Sequence, residues 1–214
     1  MEAPPGPDPE KLLLRLSDGD GLSREEIDEI VELLRQLESE DIGRKLSVDD
    51  VYSYLVVLGR AEQKQYRHVI EKFLDVRDAL TVALVLETLC LRWDCTDEYL
   101  ERVVSFALGV AWDEDQDVQQ AAIKILGEFL HTAIGVDATA LGDRQREVLE
   151  LLLNLLRDDS LEHWTRQSSY FALCRAAGKD WEELPNDCVL LDLTEGSTDL
   201  DHEVLERLDR LAAG

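Results

Sequence analysis

An apolar stripe at helical spacing runs through the middle of the chain. Its positions recur at intervals of three and four residues, which is the pattern of one buried helix face. The stripe consists of Val118, Ala121, Ala122, Ile125, Leu126, Phe129 and Leu130. The preceding segment carries a matching stripe at Leu100, Val103, Val104, Ala107, Leu108 and Ala111. We expect the two faces to bury each other, with residues 113–117 forming an acidic turn between the helices.

The same unit of helix, turn and helix occurs three times along the chain. The second helices of the units begin near positions 78, 117 and 164, a spacing of about 40 to 47 residues that is typical of stacked helix pairs. Apolar helical segments precede them over 65–74, 99–111 and 147–156. Such units stack into a solenoid in which each contacts its neighbours. No useful segment alternates with a period of two, so we predict an all-α fold without strands.

Three features of these units carry a resemblance to a known family. An aspartate precedes the second helix, and a leucine or its equivalent stands four residues beyond a pair of small residues. The small pair is Ala121-Ala122 in the middle unit and Ser168-Ser169 in the last. On these features residues 63–179 resemble HEAT repeats and their armadillo-like relatives. The resemblance implies a right-handed α–α superhelix that works by presenting a binding surface.

The segments on either side lack the repeat signature and are expected to cap the array. Four of the five prolines lie in the first nine residues, and no Lys or Arg occurs between positions 180 and 206. Ser23 with Glu26, and later Ser47, are typical helix N-cap residues. The predicted boundaries are 1–9 for a flexible tail, 10–60 for an N-terminal helical cap, 61–179 for three HEAT-like helix pairs, and 180–214 for an acidic C-terminal cap.

The charge balance limits the classes of partner. Lys and Arg number 22 against 47 Asp and Glu, which gives a net charge of −25 at pH 7. Such a surface attracts basic proteins and cations, and it repels nucleic-acid phosphates and anionic lipid. We therefore expect a basic protein partner, with neither nucleic acid nor membrane bound. The sequence leaves the oligomeric state open.

Targeting features and cysteine usage point to one compartment. The first ten residues have neither the basic start nor the apolar core of a secretory signal. The most apolar stretch, residues 79–91, is too short and too often interrupted by polar residues to span a bilayer. Cys90 and Cys174 lie in apolar helical segments, where reduced and buried thiols are expected. The sequence therefore predicts a cytoplasmic protein.

No arrangement of residues suggests catalysis or cofactor binding. The four histidines, His68, His131, His163 and His202, lie in separate segments without the spacing of paired metal ligands. The cysteine spacings do not match zinc sites, and the chain has neither a G-x-S-x-G nucleophile elbow nor a phosphate-binding glycine loop. We therefore predict a non-enzymatic protein with no metal site and no cofactor.

Two groups of residues are candidates for partner binding. The first is the acidic turn between the helices of the middle unit, where Trp112 adjoins four carboxylates. These carboxylates belong to Asp113, Glu114, Asp115 and Asp117. Acidic residues beside a rigid aromatic side chain are typical of docking sites for basic proteins. The alternative is a solvated turn that caps the following helix.

The second candidate group lies on the helix over 162–178. It consists of the polar and aromatic positions Trp164, Arg166, Gln167, Tyr170 and Arg175. In HEAT-like arrays the second helix of each pair lines the concave face, so the resemblance implies that these side chains meet a partner. The alternative is that Trp164 and Tyr170 pack against the next helix.

The resemblance also bears on function. Small acidic helical-repeat proteins of bacterial type are similar to immunity proteins or antitoxins, which neutralise a basic toxin domain by direct binding, and this is our leading hypothesis. One alternative is an adaptor or scaffold subunit of a larger assembly, and another is a HEAT-like bilin lyase. HEAT-like DNA glycosylases need a basic groove, so the acidity of this chain argues against that class.

Overall fold

The computed structural model describes residues 6–37, 46–134, 141–185, 189–194 and 196–214. These residues form ten α-helices and no β-strand, which confirms the predicted all-α class. The chain divides into two compact units, Met1–Cys95 and Thr96–Gly214. In the described part of the chain, no helix is long and apolar enough to cross a membrane.

The described residues of the first unit form five α-helices. They are α1 (Pro9–Ser17), α2 (Arg24–Gln36), α3 (Val48–Arg60), α4 (Arg67–Ile70) and α5 (Ala79–Glu87). The core forms where α3 packs against α1 and α5. The predicted caps are confirmed: Ser23 and Glu26 form a reciprocal capping box on α2, and Ser47 accepts a hydrogen bond from the Asp50 amide at the start of α3.

The first described residues are packed, so the flexible tail predicted for residues 1–9 does not include residues 7–9. Pro9 is the first residue of α1 and is buried, and Asp8 caps that helix. The Tyr54 hydroxyl donates to the Pro7 carbonyl at 2.9 Å. Proline suits the first position of a helix because that position needs no amide donor. Residues 1–5 lie outside the described residues.

The helix predicted over 65–74 is wrong in detail. The structure has the four-residue α4 between two 3₁₀ turns, Lys64–Tyr66 and Glu71–Asp75. Lys72, on the second of these turns, donates to the carbonyl oxygens of Arg35, at 3.1 Å, and Leu37. These contacts tie the turn to the end of α2, and such long-range anchoring overrides the local preference for a regular helix.

The second unit is built around one central helix. Its helices are α6 (Thr96–Ala107), α7 (Asp117–Ile134), α8 (Asp143–Arg157), α9 (His163–Ala176) and α10 (His202–Ala213). Helix α7 packs on both α6 and α9, while α8 packs on α9 and α10. The predicted stripe of α7 is buried except for the half-buried Phe129, and Gln119, Ile123 and Gly127 on its other faces are buried as well. This helix is therefore enclosed rather than amphipathic.

The stripe predicted on the preceding helix extends too far. Helix α6 ends at Ala107, and Gly109 takes a positive φ of 88°. Leu108 is 62% exposed and Ala111 is exposed, so neither belongs to the core. The backbone reversal at Gly109, a conformation that favours glycine, stops the helix before the apolar pattern ends.

The C-terminal cap carries α10, in agreement with the helical spacing of Val204, Leu205, Leu208 and Leu211 in the sequence. Asp201 caps this helix by accepting from the Val204 amide at 3.1 Å. The ion pairs Lys179–Asp201, at 2.7 Å, and Arg157–Asp209, at 2.6 Å, fasten the helix to α9 and α8. Within the described residues of this cap, Leu208 is fully buried and anchors α10 on its apolar side. Residues 186–188 and 195 lie outside the description.

Candidate protein-binding site

The turn between α6 and α7 presents one of the two predicted groups. Trp112 is half-buried, and its ring meets Phe106 edge-on with centroids 6.5 Å apart. Such an edge-to-face pair fixes the indole at the surface. The turn closes at Gln116, which has a positive φ of 63°, and α7 begins at the next residue. A rigid aromatic side chain therefore stands at the start of the acidic turn.

Asp113 caps α7 from inside the turn. Its side chain is only 7% exposed, and its Oδ2 atom accepts from the Gln119 amide at 3.0 Å. The other oxygen, Oδ1, is buried and has no hydrogen-bond partner among the described residues. Sequence reasoning places Asp113 in the docking patch, whereas the structure assigns it to the cap because an amide in the first helical turn needs an acceptor.

The other carboxylates of the turn differ in exposure. Glu114 and Asp115 are exposed, and Asp117 is half-buried. Partial burial raises the pKa of Asp117, and the neighbouring charges of Asp113 and Asp115 raise it further. Repulsion among these carboxylates favours the arrival of a cation, because an opposite charge would relieve it.

The structure brings this turn to the N-terminal end of α9. The Thr165 hydroxyl lies 2.8 Å from Gln116 Oε1 and 2.9 Å from Gln119 Oε1, so its one hydrogen is shared between these two acceptors, 49 and 46 residues away in sequence. The Gln119 side chain also donates to the Ala107 carbonyl at 3.0 Å. The two predicted groups therefore meet through Gln116, Gln119 and Thr165, which sequence reasoning did not select.

Trp164 precedes that hydroxyl and faces outward. Its side chain is 41% exposed, and the His163 ring lies edge-on to it with centroids 6.1 Å apart. Because Thr165, the next residue, bonds to Gln116 at the end of the acidic turn, we group Trp164 with Trp112, Glu114 and Asp115 and call this group the end surface of the second unit. This surface combines two aromatic side chains with exposed carboxylates, which is suited to lysine and arginine side chains of a partner.

Two further members of the second group serve the interior. Tyr170 is 4% exposed, and its hydroxyl accepts from the Asp201 amide at 2.8 Å. Arg175 donates to Glu128 at 3.0 Å and pairs with Asp180 at 2.8 Å. Burial of these polar groups is balanced by the bonds that they make within the chain. They hold α9 to its neighbours and are not part of the end surface.

Arg166 and Gln167 also have partners within the unit. Arg166 donates to the Leu156 carbonyl at 2.9 Å and pairs with Asp159 at 2.9 Å. Gln167 is 1% exposed; its amide donates to the Val189 carbonyl at 2.9 Å, and its carbonyl accepts from the Leu191 amide at 3.0 Å. A glutamine that pairs with main-chain groups in this way fixes the C-terminal segment against α9.

The C-terminal segment carries exposed apolar side chains next to α9. Val189 is 51% exposed and Leu190 is 62% exposed, while Leu191 turns inward. His163 lies 3.2 Å from the Gln167 side chain and so links Trp164 to this region. No local pattern in the sequence pairs residue 167 with residues 189–191, because the contact depends on how the irregular segment folds back.

The comparisons with known proteins return no relatives. No protein-family model matches the sequence, and no curated protein and no solved structure matches it significantly. The assignment of a binding role therefore rests on the residues and their geometry.

Proposed function

We propose that the protein is a non-enzymatic binding module that captures a basic protein through the end surface. The observation that carries this proposal is that Thr165, the neighbour of Trp164 in the chain, bonds to Gln116 and Gln119, which follow the acidic turn containing Trp112, Glu114 and Asp115. Large aromatic side chains supply contact area at little entropic loss, and exposed carboxylates supply charge.

The overall charge supports the same kind of partner. A net charge of −25 attracts a basic protein from a distance and accelerates its association. The same charge opposes binding of nucleic acid or anionic lipid, so we exclude both from the proposed partners. The raised pKa of Asp117 adds local support, because a basic side chain at this turn would relieve the repulsion among its carboxylates.

We further propose that the helix pairs α6/α7 and α8/α9 belong to a HEAT-like right-handed superhelix. The packing of α7 between α6 and α9 supports this proposal, since stacked helix pairs contact one another in this manner. An α-solenoid acts by offering a surface, which agrees with the proposed binding role. Fold analogy alone does not specify a partner.

Among binding modules, we propose a cytoplasmic immunity protein or antitoxin that covers a basic toxin domain. The acidity of the chain and the resemblance of its repeats support this class. An adaptor or scaffold subunit would use the same surface for a longer-lived assembly. The reading frame next to the gene separates the two: a basic toxin there supports the first class, and genes for assembly subunits support the second.

The test is affinity capture from the source cell followed by binding kinetics on the captured partner. We expect a basic partner whose on-rate falls as salt rises to about 0.15 M, where the Debye length is about 8 Å. The double variant Glu114→Lys/Asp115→Lys should slow association about tenfold or more. Trp164→Ala should mainly raise the off-rate, because it removes an aromatic contact.

The matched control reverses two exposed carboxylates elsewhere, in the variant Glu29→Lys/Glu206→Lys. It changes the net charge by the same amount and leaves the end surface intact. An equal loss of on-rate in both double variants would show that general charge, and not this surface, attracts the partner. A tight partner that is itself acidic would contradict the proposed function.

A further inference from the structure

A second surface of the same unit is a groove between α6 and α8. Both helices pack on α7, and the groove between them encloses about 600 Å³. Its floor is apolar and is formed by Leu100 and Val104 of α6 with Val148 and Leu151 of α8. Leu100 and Val148 are buried, while Val104 and Leu151 are half-buried and accessible from the groove.

The rim of the groove is acidic. Glu101 lines it from α6, and Asp143 and Glu147 line it from α8. The side chains of Glu101 and Asp143 are 96% and 97% exposed, so the groove opens to solvent along its edges. Arg144 is the one basic residue of the lining, and its guanidinium lies 3.9 Å from the Glu101 carboxylate, across the groove.

We propose that this groove binds an amphipathic helix of the basic partner, with apolar side chains on the floor and lysine or arginine along the rim. The proposal rests on the proposed function and names the structural element of the partner that the second unit recognises. Grooves with an apolar floor receive the apolar face of a helix through residues at positions i, i+3 or i+4, and i+7.

The length of the groove along α8 matches about two turns of such a helix. The lining residues of α8 run from Asp143 to Leu151, and eight residues of helix extend about 12 Å at about 1.5 Å per residue. This length covers about two turns of a bound helix, enough for three apolar anchors on one face.

Charge complementarity favours a cationic helix over a second copy of this chain. Three carboxylates against two guanidinium groups, that of Arg144 in the lining and that of Arg146 paired with Asp143 at 3.4 Å, leave the rim net negative, which favours a cationic helix. A second copy of this chain would bring a net charge of −25 to an acidic rim, so self-association through the groove is opposed by repulsion. A small molecule would need to be largely enclosed, whereas Glu101 and Asp143 leave the rim open.

Arg144 gives the proposal a distinctive consequence. It is the cation that already faces Glu101, and it therefore competes with an incoming basic side chain for the same carboxylate. Removal of Arg144 should strengthen the binding of a cationic helix. A residue with a purely structural role would weaken binding or leave it unchanged.

The test uses a fluorescent synthetic peptide on the order of 14 residues, or about four helical turns. It carries leucine at every third or fourth position and lysine on the flanks. Its control has the same composition with the leucines spread around the helix. We expect saturable binding of the first peptide, measured by fluorescence anisotropy, and much weaker binding of the control. Equal binding of both would reduce the interaction to charge attraction and would overturn the proposal.

Three variants of the full chain locate the peptide. Leu151→Ala should weaken binding about tenfold, because it removes about one buried leucine contact. Arg144→Ala should strengthen it a few-fold, in the range of about one exposed ion pair. Leu108→Ala, a leucine outside the groove that is 62% exposed, should change nothing. Circular dichroism and melting curves show whether Leu151→Ala remains folded. If that variant unfolds, the predicted gain of peptide affinity in Arg144→Ala still tests the proposal.

The two proposals fail in different ways. Peptide binding that is lost in Glu114→Lys/Asp115→Lys and unaffected by Leu151→Ala and Arg144→Ala would overturn the groove and leave the end surface as the binding site. A captured partner that is not basic would overturn the proposed function, whatever the result of the peptide experiment. Strengthened binding in Arg144→Ala together with weakened binding in Leu151→Ala supports the groove.

Discussion

Gly127 in α7 lies so close to Ala172 in α9 that a Cβ atom at position 127 would be 2.8 Å from the Ala172 Cα atom. The same atom would lie 2.9 Å from the Ala172 Cβ and 3.0 Å from its carbonyl oxygen. The absence of a side chain at residue 127 therefore sets the distance between the two helices. This crossing lies in the second half of both helices and is part of the packing of α7 against α9.

We predict that Gly127→Ala destabilises the protein by about 1–3 kcal/mol, because the added methyl group meets backbone that must shift. The higher helix propensity of alanine acts in the opposite direction by about 0.5–1 kcal/mol. The sign of the measured change in unfolding free energy therefore shows which effect is larger. Urea unfolding of both proteins measures the change. Gly59→Ala is the control: its Cβ would face the Thr88 side chain at 3.1 Å, and a smaller loss is expected. A Gly127→Ala protein as stable as the wild type would contradict the close crossing.

A matched pair of leucine truncations tests the limits of the core in the second unit. Leu126 is fully buried in α7, whereas Leu108 lies just beyond α6 and is 62% exposed. Leu126→Ala should reduce the free energy of unfolding by about 2–5 kcal/mol, through lost transfer energy and the cavity left behind. Leu108→Ala should stay within about 0.5 kcal/mol of the wild type. Similar losses in both variants would place Leu108 in the core, as the apolar pattern predicts and the structure does not.

Substitution of Thr165 by valine removes the hydroxyl and keeps the shape of the side chain. Thr165→Val leaves acceptors of Gln116 and Gln119 without their donor, and we expect a loss of about 1–3 kcal/mol in the free energy of unfolding. Thr132→Val is the control, because within the described part of the chain the exposed Thr132 hydroxyl donates to the Glu128 carbonyl one turn earlier in its own helix. Denaturant titrations of the two variants compare the losses, and equal effects would count against a special role for residue 165.

The ion pair between Lys179 and Asp201 should make stability depend on pH. The hydrogen bond from Lys179 holds the pKa of Asp201 below its ordinary value of 3.8. A lowered folded-state pKa means that the stabilisation is present above about pH 4 and is lost as the pH falls through the folded-state pKa. The stability difference between the wild type and Asp201→Asn should therefore be largest near neutral pH. It should shrink as the pH falls towards the folded-state pKa of Asp201, where the carboxylate becomes protonated.

The asparagine in this variant retains an oxygen that can cap α10, so the comparison isolates the charge. Melting temperatures measured across the acid range give the difference between the two proteins. In a Lys179→Met background the same substitution should have a much smaller effect, since the partner charge is missing. A difference that is constant with pH, or that persists without Lys179, would contradict the ion pair as its source.

The sequence by itself determines the all-α class, most helix positions and the caps at Ser23 and Ser47. These features depend on groups three or four residues apart, so a local pattern contains the information that fixes them. The stripe from Val118 to Leu130 is predicted correctly for the same reason, because its spacing matches the period of the helix.

Only the tertiary structure decides which members of the candidate groups are available to a partner. Asp113 and Asp115 are neighbours in one acidic turn, yet one caps α7 in the interior and the other is exposed. Tyr170 and Trp164 lie on the same helix, yet one bonds to the main chain of a distant segment and the other faces outward. Thr165 meets Gln116 across 49 residues. These differences depend on where packed helices and loops place hydrogen-bond donors and acceptors. A buried polar side chain that bonds to a group far away in the sequence produces no periodic pattern in that sequence.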